Sequence, residues 1–187
     1  MQAPTRLILR LLGWRIIGTP PDIPKYVLVG APHTSNTDGF LMILVTTALR
    51  MRLNFLMKDS WFRGPLGAIS RRLGGIPIDR STSHNTVEQI VEAFKTHDTL
   101  ALAITPEGTR RRTDHWRSGF YHIARQAGVP IVLAFADYTR KEVGFGPVIT
   151  PTGDIKTDMD RIRAFYADKT GRFPENFGPV RLRNEEN

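Results

Sequence analysis

A histidine followed five positions later by an aspartate is the part of this sequence best suited to acid–base chemistry. His33 and Asp38 are separated by Thr-Ser-Asn-Thr. A hydroxyl group is a weak nucleophile at neutral pH. A histidine can accept its proton, while a carboxylate orients the imidazole ring and stabilises the imidazolium. A structural histidine beside the first turn of a helix would give the same spacing, so the pair indicates a general base only together with other motifs.

Two later motifs combine glycine with arginine, which suits a substrate that carries a phosphate. Gly-Ile-Pro-Ile-Asp-Arg occupies residues 75–80, and Pro-Glu-Gly-Thr-Arg occupies residues 106–110. Glycine lets backbone N–H groups approach an anion, and arginine can make two parallel hydrogen bonds to a phosphate. We expect Glu107 to support an arginine by an ion pair. Either motif alone has a simpler explanation as a charged surface turn, but the three together favour transfer of a group onto a hydroxyl of a phosphorylated molecule.

The composition indicates a single globular domain with an anionic partner. The chain has 187 residues, 41% hydrophobic and 24% charged, which is ordinary for one domain with its own core. Its net charge of +8 suits a nucleic acid, an anionic lipid or a phosphorylated substrate. The basic residues are spread along the chain without a nucleic-acid-binding signature. The lack of cysteine excludes disulfides, thiolate metal sites and a cysteine acyl-enzyme.

Apolar strands alternate with helices along the chain and would position these motifs. One apolar run, residues 26–31, precedes His33, and another, residues 99–105, precedes the loop that carries Arg110. Ligands of such sheets gather at the carboxyl ends of strands, so we expect both side chains at one edge. The pattern predicts an α/β single domain with a central, mostly parallel or mixed sheet flanked by helices.

The N-terminal segment predicts a basic amphipathic helix over residues 5–17. Leu7, Leu11 and Trp14 share one face at helical spacing, and three arginines form the polar side. The segment is too short to span a bilayer. Such a helix can lie in the membrane interface with its arginines near anionic headgroups, or it can pack on the sheet of its own domain.

In their order and spacing the motifs resemble those of the glycerolipid acyltransferases, whose best-known members are the 1-acylglycerol-3-phosphate acyltransferases. That family shows His-x4-Asp, Gly-x-x-Phe-Ile-Asp-Arg, Phe-Pro-Glu-Gly-Thr-Arg and a Val-Pro-Ile-type strand, in that order. The corresponding segments here are residues 33–38, 74–80, 105–110 and 129–132. The chain departs from the family pattern at Pro32, Pro77, Thr105 and Leu133. These departures remove no reacting group, but two of them fall in the motifs that line the acceptor site.

The resemblance implies an O-acyltransferase that moves a fatty acyl group from acyl-CoA or acyl-carrier protein to a hydroxyl of a lysophospholipid such as 1-acylglycerol-3-phosphate. His33 would be the general base and Asp38 its orienting partner. The expected substrate-binding residues are Lys58, Arg80, Glu107, Gly108, Thr109 and Arg110. Because the hydroxyl attacks the thioester directly, neither a metal nor a bound cofactor is implied.

The resemblance also implies a membrane surface as a partner, no nucleic acid, and a cytoplasmic location at the inner face of the cell membrane. We therefore divide the chain into an N-terminal amphipathic, membrane-interfacial helix over residues 1–20 and an acyltransferase domain over residues 21–187. Two alternatives remain open. The acceptor can be a different lipid, such as a lyso-ornithine lipid or a glycolipid, or the chain can be a non-catalytic membrane or lipid-binding module that retains the fold.

Overall fold

A mixed sheet forms the centre of the molecule in a computed structural model, which describes residues 2–62, 66–79, 83–183 and 185. The strands are β1 (Arg15–Ile17), β2 (Lys25–Gly30), β3 (Phe55–Lys58), β4 (Gly75–Ile78), β5 (Leu100–Ile104), β6 (Ile131–Asp137) and β7 (Glu142–Ile149). The α-helices are α1 (Gln2–Leu11), α2 (Asn36–Leu49), α3 (Leu66–Arg72), α4 (Ser83–Thr96), α5 (Gly119–Ala127) and α6 (Ile155–Tyr166). Short 3-10 helices lie at Asp59–Phe62 and Pro174–Asn176.

The strand order places the two motif-bearing strands side by side. In the central sheet the order is β1-β7-β6-β2-β5, and β2 is parallel to both β5 and β6, whereas β6 and β7 are antiparallel. Asn54 bridges to Leu102 of β5 and leads into β3, which pairs in parallel with β4. The predicted α/β architecture with a mixed sheet is therefore confirmed. Because β2 and β5 are parallel neighbours, the loops after them leave the sheet at the same edge.

Helices cover both faces of this sheet, as the alternation of side chains along β2 requires. Val27 and Val29 point into a core shared with α4, α5 and α6. Tyr26 and Leu28 point to the opposite face, on the side of α2. Helix α2 buries one stripe against this second face and against α1, formed by Leu41, Leu44, Val45 and Ala48.

The N-terminal segment differs from the predicted helix over residues 5–17, which is wrong in its second half. Helix α1 ends at Leu11 because Gly13 adopts a left-handed conformation (φ 78°), and the N–H of Trp14 donates to the carbonyl of Leu9 at 2.8 Å. This is the Schellman ending of a helix, in which glycine carries no steric penalty. Residues 15–17 then form β1, parallel to β7.

Trp14 is buried in the domain and therefore lends no support to a membrane-facing stripe. Only 5% of its surface is exposed, and it packs with Leu9 of α1 and residues of α2. Helix α1 itself is amphipathic, as expected. Among the helices in the described residues, none is both long and apolar enough to cross a membrane.

Candidate active site

The loop after β2 brings His33 and Asp38 together through the first turn of α2. Ser35 is the N-cap, and its side chain accepts a hydrogen bond from the N–H of Thr37 at 3.1 Å. Asp38, three residues on, completes a capping box, since Oδ2 accepts from the N–H groups of Ser35 and Thr34 at 2.9 Å each. The Nδ1 atom of His33 lies 3.2 Å from the same oxygen. The helix cap thus fixes the carboxylate that faces the histidine.

The carboxylate form of Asp38 is stabilised by converging donors. Burial raises the pKa of Asp38, but hydrogen bonds from His33, from Tyr138 and from the backbone of Ser35, together with the charge of His33, bring it below its usual value. Asp38 is therefore ionised at neutral pH. An ionised partner at Nδ1 favours the tautomer that carries its proton there, which leaves Nε2 of His33 as a proton acceptor.

An apolar cavity of about 250 Å³ opens beside this pair, between α2 and the sheet. Its walls come from β2, α2, β3, β5, β6 and β7 and are mainly aliphatic and aromatic, and His33 and Asp38 lie among the lining residues. Other lining residues include Leu28, Leu41, Met42, Val45, Leu53, Phe55, Phe135, Val143 and Phe145. The cavity suits a hydrocarbon chain, because such a wall offers few hydrogen-bond partners to a polar ligand.

A second, polar cleft of about 500 Å³ adjoins the same histidine. It is lined by His33 and Thr105 and by four consecutive residues of the loop after β5, Gly108, Thr109, Arg110 and Arg111. His33 and Thr105 are common to the cleft and the apolar cavity. The imidazole therefore lies where an apolar compartment meets a cationic one.

The left-handed backbone of the Pro-Glu-Gly-Thr-Arg loop favours glycine at position 108. Gly108 has a φ of 64°, and a Cβ atom there would lie 2.5 Å from Nε of Arg117. The N–H of Arg117 donates to the carbonyl of Pro106 at 2.8 Å, which ties this arginine to the loop. Arg110 is exposed, and its guanidinium donates to Oδ1 of Asn36 at the start of α2. The predicted convergence of Arg110 and His33 is thus present in the structure.

Glu107 lies beneath the His33 loop rather than in the cleft. Its Oε1 accepts a hydrogen bond from the N–H of His33 at 2.9 Å, whereas Oε2 is buried with no hydrogen-bond partner in the described part of the chain. Burial raises the pKa of Glu107 to about 7, despite the backbone hydrogen bonds that lower it. At neutral pH this carboxyl is near the midpoint of its titration. The described residues show no ion pair between Glu107 and an arginine, and Arg80 lies outside them, so the ion pair stays a prediction.

Of the other expected binding residues, one lies outside the cleft and one lies outside the described part of the chain. Lys58 ends β3 opposite Ile78 and is exposed, and it lines neither the apolar cavity nor the polar cleft. Arg80 lies outside the described residues. Asp79, the residue before it, exchanges hydrogen bonds with the side chain of Gln89 on α4.

Two residues near the pair arrive from distant parts of the chain. The hydroxyl of Tyr138, just after β6, donates to Oδ1 of Asp38 at 2.6 Å. Arg172, in the segment after α6, donates to the side chain of Thr37. Neither belongs to a motif that sequence spacing singles out. In the described ranges, no group of three or more His, Cys, Asp or Glu side chains is placed to hold a metal ion.

Comparison with known proteins identifies the family to which this fold and these loops belong. The family model described as Acyltransferase matches residues 20–134, more than half of the chain, and the chain belongs to this family. It is 28% identical over 136 residues to a 1-acyl-sn-glycerol-3-phosphate acyltransferase of Haemophilus influenzae, a match that covers 69% of this chain and 55% of that protein. The chain thus spans little more than half the length of that relative.

A solved structure shares the fold. The crystal structure of the 1-acyl-sn-glycerophosphate acyltransferase PlsC from Thermotoga maritima superimposes with a TM-score of 0.54 over 81% of this chain and 68% of that chain. Sequence identity is 18%, so this likeness concerns the architecture.

Proposed function

We propose that this chain is an O-acyltransferase that moves a fatty acyl group from a thioester donor to a hydroxyl of a lysophospholipid such as 1-acylglycerol-3-phosphate. The observation that carries the proposal is the position of His33, which is paired with Asp38 and lies between an apolar cavity and an arginine-bearing cleft. An acyl chain and an anionic acceptor require these two environments next to one proton acceptor. Membership of the acyltransferase family supports the same reaction.

In this reaction His33 acts on the acceptor hydroxyl. Nε2 takes the hydroxyl proton while the oxygen attacks the thioester carbonyl carbon, and Asp38 stabilises the imidazolium. The tetrahedral intermediate then collapses, its carbon–sulfur bond breaks, and the imidazolium returns the proton to the departing thiolate. The products are an ester and a free thiol. No acyl-enzyme is required, which agrees with a chain that has no cysteine.

An acyl-transfer assay with the purified full chain tests this function. Acyl-CoA and acyl-carrier-protein donors are crossed with 1-acylglycerol-3-phosphate, a lyso-ornithine lipid and a lysoglycolipid, and the acylated products are measured by mass spectrometry. We expect thioester-dependent acylation, fastest with the phosphorylated acceptor. If no combination of donor and acceptor gives product, the chain is better explained as a lipid-binding module.

Arg110 is the residue that we propose for the acceptor phosphate. Charge-assisted hydrogen bonds contribute about 1.5–3 kcal/mol, so Arg110→Ala should raise the acceptor KM by about 10- to 100-fold. The donor KM should change far less. Arg112→Ala is the matched control, since it removes the same charge from the same loop while its guanidinium donates to the carbonyl of Phe177. Equal rises in both KM values, or equal effects of the two variants, would argue against this role.

We also propose that the chain binds a membrane surface through an exposed face of α1 and α2. The apolar surface of these two adjacent helices consists of Leu7, Ile8, Leu11, Leu12, Phe40 and Ile43. At 100° per residue, the first three of these on α1 and Leu12, directly after its end, occupy one arc, and Arg6 and Arg10 lie beside it on one side. Anionic headgroups would complement these arginines. Helix α2 also forms a wall of the apolar cavity, so the proposed surface adjoins the acyl site.

Leu11→Asp tests membrane binding, because Leu11 is 78% exposed and its loss should cost little stability. Losing a buried leucine from the lipid interface costs about 1.5–3 kcal/mol, so the partition constant between vesicle and solution should fall at least about tenfold. Co-sedimentation with vesicles of phosphatidylcholine and phosphatidylglycerol measures it. Leu73→Asp is the control, since this leucine is 63% exposed and precedes β4, at the opposite edge of the fold. Undiminished binding of the Leu11 variant would contradict the proposal.

A further inference from the structure

Tyr138 makes a direct contact with the proposed catalytic pair from outside the segment matched by the family model, which ends at residue 134. Its hydroxyl donates to Oδ1 of Asp38 at 2.6 Å. The other carboxylate oxygen, Oδ2, receives the two backbone N–H groups of the helix cap and faces Nδ1 of His33. The two oxygens therefore have separate sets of partners. Together they fix the rotation of the carboxylate about its Cβ–Cγ bond.

The phenol ring of Tyr138 is itself held in place. The ring of Trp14 packs edge-on against it, with 5.0 Å between the centroids and a 90° angle between the planes. Its backbone N–H donates to the carbonyl of Thr170 at 2.9 Å. Burial, and then the neighbouring Asp38, raise the pKa of Tyr138 well above its usual value. The phenol is therefore a permanent donor over the pH range in which enzymes of this kind work.

We propose that Tyr138 is a positioning residue for catalysis, which holds the Asp38 carboxylate in the rotation that presents Oδ2 to His33. This inference rests on the proposed acyltransferase function. A carboxylate with only one oxygen fixed can turn about Cβ–Cγ, and a turn of this kind lengthens the contact with Nδ1. The imidazole then loses both its orientation and its tautomer preference.

The surroundings of Asp38 give the direction of the pH effect. The titratable side chains that act on Asp38 are His33, Tyr138 and Glu107, and the charge of Arg172 acts on Tyr138. Burial has the largest effect on the pKa of Asp38 and raises it. The hydrogen bond from His33, and then the hydrogen bond from Tyr138, lower the pKa of Asp38. Without the phenol hydroxyl, Asp38 is protonated at a higher pH. The ionised form of Asp38 is therefore less stable in a chain that lacks this hydroxyl.

Tyr138→Phe is the test, because it removes the hydroxyl and keeps the ring that contacts Trp14. Hydrogen bonds to charged groups are worth about 1.5–3 kcal/mol, so we expect kcat to fall by about tenfold or more, with both KM values changed by less than about twofold. Tyr121→Phe is the matched control, since that hydroxyl donates to Asp158 at 2.8 Å between α5 and α6.

Two further measurements separate a positioning role from a structural one. If Tyr138 acts through Asp38, adding Tyr138→Phe to Asp38→Asn should lower kcat no further. Long-range proton–nitrogen NMR spectra should show a smaller population of the Nδ1-protonated tautomer of His33 in Tyr138→Phe and no change in Tyr121→Phe. This spectroscopic readout needs no turnover, so it decides the role of Tyr138 even if the chain transfers no acyl group. Additive kinetic effects, or an unchanged His33 spectrum in Tyr138→Phe, would overturn the inference.

Discussion

Replacing His33 by alanine is expected to lower kcat for acyl transfer by about two to four orders of magnitude. The variant leaves the acceptor hydroxyl without a base beside the thioester, and water is a much weaker proton acceptor at neutral pH. Both KM values should change little, because the apolar cavity and the arginine loop remain. Single-turnover rates with saturating donor and acceptor measure the chemical step directly.

The fold should survive this substitution, which keeps the experiment interpretable. The backbone N–H of His33 still donates to Glu107, and the cap formed by Ser35 and Asp38 does not use the imidazole. His122→Ala is the control, since this histidine is exposed on α5, on the opposite face of the sheet from α2. Wild-type-like turnover in His33→Ala would show that His33 is not the general base. Vesicle binding and the unfolding curve should match those of the wild type.

The sequence allowed the architecture and the centre of the site to be predicted because both depend on local patterns. Apolar runs before the two loops indicate buried strands, and the parallel pairing of β2 and β5 brings His33 and Arg110 to one edge. The spacing of His33 and Asp38 also has a local cause. A carboxylate at the third position of a helix turns back to its N-cap, which places it beside the two residues before the cap, here His33 and Thr34.

The parts that the sequence did not predict depend on contacts between distant segments. Tyr138 and Arg172 follow Asp38 by 100 and 134 positions, and no spacing rule connects them to it. Glutamate side chains are usually exposed, so the sequence did not predict that Glu107 is buried beneath the His33 loop. This burial depends on how β2 and β5 pack. The end of α1 had a local signal in Gly13, whereas the pairing of β1 with β7 had none.

Asp38→Asn is expected to lower kcat by roughly a thousandfold, the second large effect in this site. The amide has the same shape but no charge, so it cannot stabilise the imidazolium. It also brings two N–H donors into a place where four donors converge, from Thr34, Ser35, His33 and Tyr138. The single oxygen of the amide cannot accept hydrogen bonds from all four donors, as the two carboxylate oxygens do. The imidazole of His33 therefore loses its fixed tautomer. Turnover with saturating substrates and the His33 NMR signals measure the two consequences separately.

Because Asp38 also completes the cap of α2, the experiment must separate catalysis from stability. Ser35→Ala removes the other half of the same capping box, the hydrogen bond from the N–H of Thr37, and leaves the contact between His33 and Asp38 intact. Losing a cap costs about 1 kcal/mol, so both variants should unfold at similarly reduced denaturant concentrations. Only Asp38→Asn should lose turnover. The kcat of Ser35→Ala should stay within about threefold of the wild-type value, because this substitution affects only the end of the helix. Equal losses of kcat in the two variants would show that Asp38 matters as a helix cap and that His33 works without an orienting carboxylate.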